Sequence, residues 1–443
     1  MLMNAAALDL GASPPLRLPL LFLLSVPLFG VLAALLLLAG GSALVVSRWQ
    51  PLTLAWVHLL ALGVLMTGML GSLLQMLPVL FGARVRRVGL WAPLIHAALV
   101  GGTLLLVTGF ALTQPSLLQA GALALAVALA LFVAAAAPGF LRAPRSGETA
   151  QAMVLAALAL LLTLGLGFAL AGGHAGWWPL YRSLTDLHAG WAALGWVGLL
   201  VIAVAYQVVP MFSVCAPYPL WQRRALAPTL FGVLTVASLG AWWPLPYAVR
   251  LLLAALAALA VIAFAASTLW LQHTRRRKLP DVWLDYWKLA LAAAALAAAG
   301  GLLGYLWPAL WADPRYELLL GVLWLAVFAP TLMAGMLQRI VAFLIWLDLS
   351  ARVRAVARGR QPPNLRELVP AARMRGHWRL HALACLLLCL AVLWPALTRI
   401  AGLLWAFAWI GLGLNLLAAL RTWRRWRREL DAMPSPSAGT SRA

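Results

Sequence analysis

Two histidines stand where long apolar stretches begin. His58 follows "LAW" at the head of "VHLLALGVLMTGMLGSLLQMLPVLFG", and His188 opens "LHAGWAALGWVGLLVIAVAYQVVPMF". An imidazole in such a place either hydrogen-bonds a backbone carbonyl or a neighbouring hydroxyl, or it ligates a metal or a haem iron. On a regular helix Met69 and Met76 fall at about 20° and 0° from His58, so a His ligand backed by thioethers could occupy that face. Tyr206 shares the face of His188 but lies about 27 Å along the axis, so only a chain of groups or waters could link the two. His174, in "AGGHAGWWPLYRS", either joins His58 and His188 at one membrane face or is an ordinary exposed loop residue.

A different set lies near the C-terminus. "GHWRLHALACLLLCL" places His377, His381, Cys385 and Cys389 at successive intervals of four. Each step drifts by about 40°, so neighbours share a stripe, and imidazole with thiolate suits Cu(I) or Zn(II). The stripe is about 18 Å long, so at most an adjacent pair or trio, such as His381 and Cys385, could hold one ion. The alternative is that the small cysteines simply pack. His96 should stand level with Gln75 and reads as half of a buried hydrogen bond. Arg339 either snorkels to the cytoplasm or forms an anion site.

The elements that must position these residues are transmembrane helices. The chain has 443 residues, 64% hydrophobic and 10% charged, with mean hydropathy +0.94, which marks an all-α polytopic membrane protein. Apolar runs predict about 12 transmembrane helices, near 18-42, 52-81, 88-112, 117-137, 150-172, 186-214, 226-243, 246-272, 285-308, 317-347, 377-397 and 400-420. The net charge of +22 does not point to nucleic acid, because Arg and Lys collect in alternate connections. Arg84, Arg86 and Arg87 follow helix 2; Arg142 and Arg145 follow helix 4; Arg223 and Arg224 follow helix 6; and Arg275, Arg276, Arg277 and Lys278 follow helix 8. By the positive-inside rule both termini are cytoplasmic and the helix count is even. The expected partner is the lipid bilayer. Three cysteines build no disulfide framework, the first apolar segment reads as a retained helix, and the 23 Trp residues read as interface anchors.

The opening pattern recurs. Aligned on a glutamine, three helices give the columns Gly63, Gly195, Ala326; Gly71, Ala203, Ala334; Gln75, Gln207, Gln338; and Pro78, Pro210, Val341, with spacings of 132 and 131 residues. Gln is uncommon in lipid-spanning helices because its amide must find partners there. Its periodic return predicts three four-helix repeats with pseudo-three-fold symmetry. The segments are a cytoplasmic N-terminus 1-17, repeat 1 over 18-137, repeat 2 over 150-272 and repeat 3 over 285-421. Repeat 3 contains a basic cytoplasmic loop 348-376, and a basic tail 422-443 follows it. The small residues permit close helix approach, and each Pro frees a carbonyl that a neighbour must satisfy. Equivalent helix contacts account for the repeated Gln and Pro on purely structural grounds; they do not account for the histidines.

Twelve helices in three groups of four, with His58 in helix 2 and His188 in helix 6, resemble subunit I of haem-copper oxidases and its NnrS-type relatives. The resemblance covers the whole chain as a helix plan, with weak sequence motifs. In that family helix 2 carries a low-spin haem ligand, helix 6 the first copper ligand, helix 7 a His pair and helix 10 two further haem ligands. Here helices 7 and 10 contain no His, so oxygen reduction with proton pumping is not expected. The resemblance implies a divergent relative in a bacterial inner membrane, with haem and/or copper as cofactors and other respiratory membrane subunits as partners. It also implies that Arg399, between helices 11 and 12, could pair with a haem propionate.

Three functions follow from these observations. The first is a haem- or copper-containing protein of respiratory electron transfer, nitric oxide response or metal supply. The second is a small-molecule or metal permease, and the third a non-catalytic assembly or partner subunit. Asp186, Asp285, Glu317 and Asp348 all lie near helix ends, which weighs against transport driven by a carboxylate at the membrane centre. No Walker motif, Ser-His-Asp set or paired catalytic carboxylates stand out.

Overall fold

The computed structural model describes residues 14–81, 87–142, 147–276, 278–356 and 360–433. Among them every regular element is helical. Six helices long and apolar enough to cross a bilayer come first: α1 (Arg17–Val45), α2 (Pro51–Val79), α3 (Val88–Ala111), α4 (Pro115–Pro138), α5 (Glu148–His174) and α6 (Leu184–Ser213). Then comes α7 (Leu220–Leu239), 20 residues long. It falls below the others in apolarity, and Gln222, Arg223 and Arg224 in its first two turns are the reason. Five more apolar spans follow: α8 (Tyr247–His273), α9 (Trp283–Leu306), α10 (Pro314–Val356), α11 (Ala371–Leu393) and α12 (Pro395–Asp431). The expectation of twelve apolar spans is thus met by eleven, with α7 standing where the segment 226-243 was read. Most of the N-terminus 1-17, Arg84, Arg86, Arg145, Arg277 and the last ten residues of the tail lie outside the described residues.

Several helices start at a proline, whose fixed φ suits a position with no helical N–H partner. Pro51, Pro115 and Pro314 do this, and before Pro314 the Asp313 carboxylate caps the helix by accepting from the Arg315 N–H at 2.9 Å. Two helices outlast their apolar runs. The segments 317-347 and 400-420 continue to Val356 and Asp431, where pairs one turn apart support the polar ends: Arg352 with Asp348, Arg425 with Glu429 and Arg427 with Asp431.

The helices that carry the repeated glutamines lie at the centre. In α2, α6 and α10, 72, 67 and 61% of the apolar window is buried, against 28% in α4, α5 and α8. The first three therefore form the interior and the last three the rim. α3 packs along α4, α8 along α9 and α11 along α12, while α12 also packs along α1, so that the first and last spans meet. The close approach of α1 and α12 depends on Gly30, where a Cβ would stand 2.0 Å from the Trp409 ring.

Each central helix contains a π-helical stretch: Leu59–Met66 in α2, Trp191–Gly198 in α6 and Val322–Phe328 in α10. Their first residues are 132 and 131 positions apart, the same spacings that align the glutamines. A π turn bonds i to i+5 and is wider than an α turn, a geometry that tends to mark functional sites. His58 directly precedes the first stretch, and His188 lies one turn before the second.

Candidate functional site

At the end of the bundle where α2, α6 and α10 begin, a cavity of about 1850 Å³ opens among the central helices, α4, α5 and α8. Leu, Ala and Val form most of its wall, and His58, His174, His188, Arg48 and Met66 all line it. A hole of this size exceeds the usual few hundred to a thousand Å³ of a small-molecule pocket. It suits a large, mostly apolar occupant.

His58 Nδ1 lies 2.7 Å from the Leu54 carbonyl, and His188 Nδ1 lies 3.0 Å from the Thr163 carbonyl on α5. A carbonyl only accepts, so Nδ1 carries the proton in both rings and Nε2 keeps its lone pair. Neither Nε2 has a hydrogen-bond partner among the described residues, and neither is sealed from the cavity. The rings are near parallel, 15° apart, with centroids separated by 6.4 Å. Phe110 of α3 stacks on His58 at 5.2 Å, and His174 meets the edge of Phe110 at 5.4 Å. His174 thus belongs to the same aromatic cluster, one ring removed from the pair.

The position of His188 depends on Gly167, since a Cβ there would stand 2.9 Å from His188 Cε1. Gly167→Ala is expected to displace the ring and break its bond to Thr163, with little loss of global stability. An unchanged His188 imidazole resonance in the variant would contradict this.

Arg48 closes one side of the mouth by bridging Asp186 at 2.6 Å and Glu317 at 2.9 Å. Asp186 and Glu317 are 131 residues apart, the spacing that also separates Gln207 of α6 from Gln338 of α10. Trp49 is covered by the guanidinium groups of Arg48 at 4.6 Å and Arg182 at 5.4 Å. Because the Asp186 side chain is 74% exposed, Arg48→Gln is expected to cost about 1 kcal/mol or less in stability, a loss that high salt should erase in thermal unfolding. Arg250, at the start of α8, also lines the cavity and has no ion-pair partner among the described residues.

Other sequence-derived candidates lie elsewhere. Arg399 does not line the cavity; its Nε stands over Gly41, 3.1 Å from where a Cβ would be. Met69 is buried in the core and Met76 partly so, while Met66 faces the cavity instead. The π turns between His58 and Met69 change the angle per residue, so the α-helical projection puts the wrong methionines on the histidine's face. Tyr206 donates to the Gln222 carbonyl at 3.0 Å, and His96 pairs with Ser25 at 2.8 Å. Pro78 and Pro210 both lie inside helices. Arg339 reaches Asp281 at 3.0 Å beneath Phe212 and Trp283, so the chain's own carboxylate fills the proposed anion position.

Gln338 is the centre of a second polar cluster. Its Oε1 accepts from Asn415 Nδ2 at 3.0 Å, and its Nε2 donates to Tyr286 Oη and to the Ala334 carbonyl, each at 3.2 Å. Tyr286 Oη also bonds His377 Nδ1. One turn along α11, His381 Nε2 lies 2.9 Å from Thr331 Oγ1 and 3.4 Å from Cys385 Sγ. All three cysteines are free thiols. Among the described residues no three His, Cys, Asp or Glu side chains come close enough to share a metal ion.

Compared with known proteins, the chain matches no family model and no curated protein. Sequence reasoning missed Thr163, Phe110, Gly167, Arg48, Tyr286, Thr331 and Asn415. Shifting Asp186 by the repeat spacing would have flagged Glu317, and with it the mouth of the cavity.

Proposed function

We propose that this is a haem-binding membrane protein of electron transfer, in which His58 and His188 would hold the haem. The observation that carries the reading is the pair of near-parallel imidazoles, each with Nδ1 tied to a carbonyl and Nε2 free at a large apolar cavity. Two imidazoles on one metal, with bonds of about 2.0 Å, hold their centroids roughly 4.4 to 6.3 Å apart according to the angle at the metal, and the 6.4 Å found here lies at the wide end of that range. Anchoring Nδ1 to a carbonyl is the usual means of fixing a ligating histidine's tautomer and orientation. The apolar walls match a porphyrin body, and Arg250, which has no ion-pair partner among the described residues, offers a cation at the rim for a carboxylate.

When bound, haem would supply one-electron transfer chemistry. The protein's own part is to hold both imidazoles neutral, keep them parallel and exclude water. Three four-helix repeats around a pseudo-three-fold axis, in a bacterial inner membrane with both termini cytoplasmic, complete the proposal. The matched spacings of glutamines and π turns support it, as does the kinship with haem-copper oxidase subunit I suggested by the helix plan. Asp186, Asp285, Glu317 and Asp348 are each engaged by arginine, which counts against a carboxylate-driven permease.

The test is the optical spectrum of the detergent-purified protein, oxidised and reduced, with a haemochrome assay. A Soret band, low-spin α and β bands on reduction and near-stoichiometric iron are expected. A colourless, iron-free protein that stays monodisperse after expression with ample haem would sink the proposal.

A further inference from the structure

The cluster around α11 lies outside the histidine-lined cavity, and electron transfer at that cavity makes no use of it. We infer that Cys385 and His381, with Thr331 beside them, form a binding site for a single Cu(I) ion. Cys385 Sγ and His381 Nε2 are 3.4 Å apart on successive turns of one helix. With metal bonds of about 2.3 Å to sulfur and 2.0 Å to nitrogen, that separation subtends about 105° at a shared ion. Thr331 Oγ1, from α10, closes the third side at 2.9 Å from the nitrogen and 3.8 Å from the sulfur. None of the three residues is more than 1% exposed.

Charge selects the ion. In an interior without water an uncompensated charge is costly. One thiolate and one neutral imidazole cancel Cu(I) and leave a neutral complex, whereas Zn(II) or Cu(II) would leave a net positive charge. No third His, Cys, Asp or Glu among the described residues is placed to offset it. Cu(I) also accepts few ligands and prefers soft ones. On binding, the S–Cu bond replaces the S–H bond and one proton leaves to solvent; the Nε2 lone pair forms the second bond; and copper stays monovalent. His377, whose ring lies 5.7 Å from that of His381 and is tilted from it by 25°, offers a nitrogen donor one turn towards Arg375. Cys389 offers sulfur one turn towards the cavity, whose wall includes Leu388.

The full-length protein in detergent, freed of metal, is titrated anaerobically with Cu(I) against a chromophoric chelator, and copper-edge X-ray absorption is recorded at one equivalent. One tight equivalent is expected, with one sulfur and at least one nitrogen in its shell. Cys385→Ser should raise Kd at least tenfold and remove the sulfur, while a His58→Ala/His188→Ala protein should retain both. A tenfold excess of Zn(II) should leave the copper in place. The inference is overturned by a wild-type protein that cannot compete with the chelator, by a copper shell without sulfur, by a Cys385→Ser protein that binds as tightly, or by displacement with Zn(II). Should Cys385→Ser fail to fold, the sulfur signal in the wild-type protein decides alone.

Discussion

His58→Ala and His188→Ala should each lower the haem retained on purification at least tenfold, and the double replacement should abolish it. Loss even of an outer-shell partner of a metal-bound histidine typically costs 10- to 100-fold, so loss of the ligand itself should cost no less. The two variants should differ in kind. His58 is held by a carbonyl of its own helix, Leu54, whereas His188 is held by Thr163 on α5. Removing His58 leaves the α5–α6 contact intact, and added imidazole should restore the low-spin spectrum in the space vacated beside Phe110. Removing His188 also frees the Thr163 carbonyl, and rescue there should be weaker. Haem content equal to wild type in both single variants would exclude the pair as ligands.

The central helices were legible in the sequence because a buried amide is costly in lipid, so Gln75, Gln207 and Gln338 stand out where leucine would be ordinary. Their spacing agrees with that of the three π-helical stretches. The approach of His58 to His188 was harder to read. It joins residues 130 positions apart in sequence through loops with no strong signature. Met69 and Met76 show a second limit: a projection at 100° per residue fails once a π turn intervenes, and Met66 takes their place. α7 shows a third. Arg223 and Arg224, read as loop charges, lie in the first two turns of a helix that starts at Leu220, and there they pair with Glu148 at the start of α5 at 3.1 and 3.5 Å. The stripe on α11 was visible, but its partners Tyr286, Thr331 and Asn415 come from three other helices and became apparent only in three dimensions.

Gln338→Leu is expected to destabilise the protein by about 2 kcal/mol, and Gln207→Leu by about 0.5 kcal/mol or less. The two glutamines are 131 residues apart, the same spacing as the π-helical stretches of α6 and α10, so a common packing role would predict equal losses. Their surroundings differ. Gln207 is half-buried and makes no hydrogen bond among the described residues. Gln338 is 1% exposed and bonds Asn415, Tyr286 and Ala334, linking α10 to α12 and α9. Leucine fills the same volume, so the loss comes from the polar groups left behind. Asn415 Nδ2 would lose its acceptor at 8% exposure, and Tyr286 Oη would keep only His377 and the Met374 carbonyl. A single hydrogen bond between membrane helices averages about 0.6 kcal/mol, because the unfolded chain in lipid also finds partners. Stranding a buried donor costs about 1–3 kcal/mol, and that penalty sets the difference between the two variants. Thermal unfolding in detergent measures it directly. Equal midpoint shifts would mean that Gln207 and Gln338 play the same packing role; a larger shift for Gln338→Leu would mean that Gln338 anchors the polar cluster beside α11.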